Sequence, residues 1–85
     1  MDTVIGRNRR LSEMRAGESA VVAAVPAESD ISRRLCDLGF ASGETVRCVG
    51  VSPLGDPKAF MVRGAVIALR SEDAGLIAVR EAERV

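Results

Sequence analysis

The sequence predicts a mainly β fold: a small SH3-like five-stranded barrel with one short helix after the first strand. Three observations carry that reading. Short β-branched runs recur at close intervals with Gly or Pro between them. A single stretch, Ile31 to Leu38, spaces its apolar residues as a helix does. That stretch is followed at once by Gly39 and a new β-branched run. Small, strongly bent barrels are assembled from such pieces. An OB-fold is the competing small barrel, but its helix usually follows the third strand.

The elements follow in order. Leu11 to Gly17 reads as a short turn of helix closed by Gly17, with Leu11 and Met14 on one side. Glu18 to Val25, bounded by Gly17 and Pro26, reads as the first strand. It lacks a clean polar alternation, so both of its faces are expected to be covered. Ser29 or Asp30 is placed to cap a helix over Ile31 to Leu38. Ile31, Leu35 and Leu38 fall at i, i+4 and i+7 and form one apolar stripe, with Arg33, Arg34 and Asp37 mostly off it.

The helix should stop abruptly. Gly39 can take the left-handed conformation without a Cβ clash. Phe40 then sits where a Schellman cap wants an apolar residue folding back on Leu35. Gly43 bends the chain again before the second strand, Glu44 to Ser52. There Val46 and Cys48 share one face, Thr45, Arg47, Val49 and Val51 the other, and Gly50 marks a bulge or sharp bend. Two prolines and a glycine within Pro53-Leu54-Gly55-Asp56-Pro57 exclude a strand. Lys58 to Arg63 alternates with Phe60 and Val62 inward. Arg63-Gly64 reads as a tight hairpin turn into Ala65 to Arg70. Ser71 to Gly75 reads as a capped helical turn and Leu76 to Arg80 as the last strand. Residues 1–10 read as a flexible, solvated tail, 11–80 as one domain, and 81–85 as a frayed end.

Composition bounds the class. A chain of 85 residues buries only roughly 60–65% of its unfolded surface. Its stability is then on the order of 5 kcal/mol. Phe40 and Phe60 are its only aromatics, so Val, Ile, Leu and Ala must fill the rest of the core. Twelve basic and twelve acidic side chains cancel and are interspersed, which counts against a nucleic-acid partner. No run reaches the roughly 20 apolar residues that span a bilayer, and residues 1–10 lack the apolar core of a signal peptide. Cys36 and Cys48 are too few for a disulfide framework. A cytoplasmic protein with reduced thiols, not inserted in the membrane, is the expectation.

The residues reveal no catalytic chemistry. The absence of histidine removes the commonest general base and metal ligand. Cys36 and Cys48 lie within a helix and a strand without metal-ligand spacing, and read as small apolar packing residues. No phosphate-cradling glycine pattern occurs. No enzyme activity, catalytic residue, metal site or cofactor is therefore expected. What remains is a docking surface. The prolines of the 53–57 segment hold Leu54 at an exposed tip, and a pre-ordered apolar tip loses little entropy on docking. Leu54, Gly55, Asp56 and Pro57 are the candidate partner-binding residues, extended by Met61, Val49 and Val51 if these face outward. Gly39, Gly43 and Gly64 are structural turns.

Several segments together resemble the FeoA family, small accessory proteins of bacterial ferrous-iron transport. They are Leu11-Ser12-Glu13-Met14 with Gly17-Glu18, Arg34-Leu35 with Leu38-Gly39-Phe40, Gly43-Glu44-Thr45-Val46, the 53–57 segment, Gly64, Ala68-Leu69-Arg70, Asp73-Ala74 and Ile77-Ala78-Val79. The resemblance implies an SH3-like barrel in the cytosol beside FeoB, the membrane permease with a GTP-binding domain. It implies binding to that permease and modulation of Fe²⁺ uptake, with no reaction of its own. Lys58 departs from the family's usually apolar residue after the second proline, and residues 1–10 fall outside its pattern. The alternative is the SH3-like regulatory domain of iron-dependent transcriptional repressors, which would make this chain a fragment or a free-standing regulator. Neither resemblance predicts an oligomeric state.

Overall fold

The computed structural model describes residues 9–26 and 29–81. Their strands form one antiparallel sheet in the order β1-β6-β2-β3-β4-β5. β1 is Arg9–Arg10, β2 Ser19–Ala24, β3 Thr45–Val51, β4 Lys58–Val62, β5 Ala65–Leu69 and β6 Ala78–Glu81. A 3-10 turn over Leu11–Glu13 follows β1, helix α1 (Asp30–Leu38) follows β2, and helix α2 (Ser71–Ala74) joins β5 to β6.

The expected β fold therefore forms, with a sixth strand where five were expected. Arg9 and Arg10 belong to it: they pair with Val79 and Ala78 of β6, so the expected tail gives up its last two residues to the sheet. Glu81, expected to fray, pairs with Ala20. The remainder of both expected ends, residues 1–8 and 82–85, lies outside the described residues. β1 has no apolar pattern of its own. It is held by β6 and by an ion pair in which both guanidinium nitrogens of Arg9 meet the Glu18 carboxylate, at 3.0 and 3.3 Å. The backbone N–H of Arg15 donates to the same carboxylate at 2.7 Å.

α1 begins and ends on side-chain and glycine chemistry. The Ser29 hydroxyl accepts from the Ser32 N–H at 3.2 Å and caps the first turn. Ser32, the buried polar residue of the described chain, is satisfied by donating to the Pro26 carbonyl at 2.6 Å. At the other end Gly39 has φ +118°. The N–H of Gly39 bonds to Cys36 O and that of Phe40 to Leu35 O, the paired bonds of a Schellman cap. Phe40 is thereby turned into the core, where it meets Phe60 edge-on with ring centroids 6.3 Å apart. Leu11, Met14, Val22, Leu35, Val46, Val62, Ile77 and Val79 fill in around the pair.

β3 pairs with β4 through a bulge between Cys48 and Gly50. Up to the bulge, Val46 and Cys48 point inward and Arg47 outward, as alternation requires. Beyond it the parity flips, and Val51 pairs with Lys58 on the face that also carries Phe60 and Val62. Val51 thus leaves the face it was expected to share with Arg47 and Val49. The hairpin between β4 and β5 turns on Arg63 (φ +52°) and Gly64 (φ +80°), positive at both central positions. The Lys58 amine crosses to the 3-10 turn and donates to the carbonyls of Ser12 and Met14, at 2.7 and 2.8 Å.

Two measurements check this account. A Cβ at Gly39 would lie 3.3 Å from both Val62 Cγ1 and Arg63 Cδ, in a left-handed backbone that β-branched residues resist. Gly39→Val should cost about 1–3 kcal/mol in denaturant unfolding, and a parent-like midpoint would place the helix end elsewhere. The hydrogen bond from Arg9, aided by the Arg15 N–H, holds the Glu18 carboxyl at about 2, below its usual 4.5. A lowered folded-state value stabilises fully above the unfolded value and is lost as pH falls through the folded one. The melting temperature should therefore drop between about pH 4.5 and pH 2, and Glu18→Gln should flatten that part of the profile.

Candidate functional site

The loop from Ser52 to Pro57 is built as a closed unit. Gly55 N–H bonds to Ser52 O at 2.7 Å, Ser52 N–H to Pro57 O at 3.2 Å, and the Ser52 hydroxyl donates to Asp56 O at 3.0 Å. Asp56 also ties the loop to a distant element. Its two carboxylate oxygens accept from the Ser71 N–H at 2.8 Å and the Ser71 hydroxyl at 3.1 Å, at the first residue of α2. A carboxylate there satisfies a donor that the short helix leaves open. Asp56 therefore braces the loop from within.

Leu54 projects from this braced loop with 92% of its surface exposed, an unusual state for a leucine. Gly55 has φ +89°, which the reversal beside Leu54 requires. Met61 lies elsewhere: it is the fourth residue of β4, on the outer face of the sheet. Sequence reasoning named both, and the structure places them on two adjoining surfaces, a loop tip and a sheet face.

The sheet face also holds residues that the sequence reading did not single out. Met61 pairs with Arg47 on one side and Val66 on the other, and Ala59 pairs with Ala68. Val49, Met61 and Val66 are each at least 40% exposed. The alternation of β5 was the available signal, since Val66 and Ala68 take the parity opposite to inward Ile67 and Leu69.

Cys48 is buried with its thiol 3.7 Å from Gly50 O, and the thiol of half-buried Cys36 is 4.0 Å from Phe40 O. Among the described residues no three Cys, Asp or Glu side chains cluster closely enough to hold a metal ion. No described helix is long and apolar enough to cross a membrane. A groove of about 310 Å³ lies between the end of β2 and the start of β6, lined by Ala24, Val25, Pro26, Leu76 and Ala78 together with Arg10. Its lining contains no carboxylate or thiol, hence no acid–base pair or nucleophile.

Known proteins resemble the chain in sequence and in shape. It is 36% identical over 70 residues to an Fe(2+) transport protein A/Fe(2+) transporter FeoB fusion protein of Porphyromonas gingivalis. The match takes in 82% of this chain but only 8% of the length of that relative. A zinc complex of FeoA from Stenotrophomonas maltophilia, described as a procaryotic SH3 domain protein, superimposes with TM-score 0.74 at 38% identity, covering 87% of this chain and 99% of that one. A FeoA-like protein from Clostridium acetobutylicum superimposes with TM-score 0.82 at 28% identity, over 92% of this chain and 91% of that one. A manganese-dependent transcriptional repressor shares the fold alone, at TM-score 0.80 and 21% identity, over 89% of this chain and 37% of its own. The FeoA domain model matches residues 9–81, from the first residue of β1 to the last of β6, and the chain belongs to the FeoA family of SH3-like domains associated with ferrous iron transport.

Proposed function

We propose that this chain is a cytosolic accessory protein of bacterial ferrous iron uptake that docks on a FeoB-type, GTP-binding permease and catalyses no reaction itself. The observation that carries the reading is the P. gingivalis relative, in which an Fe(2+) transport protein A is fused to the transporter FeoB. Fusion holds two modules at a high effective concentration, which is of use when they act on one another. The braced loop supports the same reading. Its internal hydrogen bonds and its tie to Ser71 have already ordered the backbone that carries Leu54, so docking there forfeits little entropy. A role like that of the metal-dependent repressors rests on likeness of fold only, and fold does not carry function.

Titration calorimetry with the purified soluble region of a FeoB-type permease tests the proposal. Association at micromolar concentration is expected, and no heat at high micromolar protein overturns it. Leu54→Ala should weaken the association by roughly tenfold or more, from lost apolar burial. Its melting temperature should match the parent, because Leu54 packs on little in the free protein.

A further inference from the structure

β5 ends the sheet with an unspent backbone. Among the described residues it pairs with β4 alone. Arg63–Gly64 is a two-residue loop, so Val62 and Ala65 form the hydrogen-bonded pair that closes the hairpin. Pairs then alternate along the ladder, which makes Met61–Val66 and Ala59–Ala68 the non-hydrogen-bonded ones. The N–H and C=O groups of Val66 and Ala68 consequently point away from β4. Sheet edges are commonly blunted by charge, proline or a bulge. The five residues of β5, Ala65 to Leu69, contain no charged residue or proline, and their register with β4 is unbroken.

Charge indicates which strand would fit that edge. The outward positions of β3, β4 and β5 include Arg47 and no acid, and exposed Arg70 continues the outward parity of Val66 and Ala68. The carboxylate of Asp56 in the loop between β3 and β4 is engaged by Ser71. The surface is thus apolar at Val49, Met61 and Val66 and cationic at Arg47 and Arg70. A second copy would fit it poorly. Antiparallel pairing of two β5 strands through Val66 and Ala68 sets Arg70 opposite Gly64 of the other copy and brings no carboxylate to the face.

We infer that β5 accepts an extended, acidic–apolar segment of a partner protein by strand addition. The backbone groups of Val66 and Ala68 supply the hydrogen bonds, Val66 with Met61 behind it takes an apolar side chain, and Arg70 receives a carboxylate from the same face of the added strand. Assigning that segment to the soluble region of the permease rests on the function proposed above.

Two experiments separate the edge from the identity of the partner. The first adds to ¹⁵N-labelled protein a ten-residue peptide with threonine at every second position and, between the threonines, valines in one half and glutamates in the other, so that one face of the strand carries both; the control has lysine in place of glutamate. The Val66 and Ala68 amides should shift and exchange at least tenfold more slowly with the acidic peptide and not with the basic one. No change, or equal change with both, overturns the proposal. So does slow exchange of these amides in the free protein together with a dimeric mass. The second uses Ala68→Pro, which removes an outward N–H and spares the β4 ladder, and Arg70→Glu, which leaves the backbone intact. Each should lose at least tenfold in affinity for the soluble region of the permease. Parent-like binding by both overturns strand addition while leaving the permease reading standing. Protection of β5 by the acidic peptide, with no binding of the permease region, upholds the edge and removes that partner.

Discussion

The chain reversal at Gly39 is the constraint from which the interior follows. A left-handed residue ends α1, and the Schellman bonds to Cys36 and Leu35 deliver Phe40 into the sheet instead of into water. With two aromatic rings in the whole chain, their edge-to-face contact is the largest single packing event available. The smaller side chains around it bury less apolar area each. A domain of this size has little core to spare, so the angle at which α1 leaves matters more than it would in a larger protein. Val62 and Arg63 close over Gly39, which links the helix end to the β4–β5 hairpin.

What the sequence made legible was whatever local chemistry writes down. The Ser29 cap, the Gly39–Phe40 stop, the Gly50 bulge, the inward pair Phe60 and Val62, and the Arg63–Gly64 turn depend on neighbours within a few residues. What stayed hidden depends on partners far along the chain. Arg9 and Arg10 become a strand because β6 and Glu18 are there to receive them. Lys58 finds its acceptors 46 and 44 residues away. Val51 changes face because a bulge inverts the alternation after it, which no count of residues along β3 would reveal.

The candidate site divides along the same line. Leu54 was evident, since prolines and a glycine around a leucine describe an exposed tip. The work of Asp56 was not, because its partner Ser71 belongs to another element. Met61 was named as an outward extension of the loop, while Val66 beside it and Arg70 past the end of β5 needed the strand order before they formed a surface. Both surfaces are held rigid by their attachments. Here the loop is tied to α2, and the sheet face is tied by its ladder to the core.

Lys58 is the chain's single lysine, and its amine is already engaged by two carbonyls of the 3-10 turn. Acylation or conjugation at that side chain requires the amine first to leave the two carbonyls that hold it. Lysine-directed labelling would then count releases of this one strut.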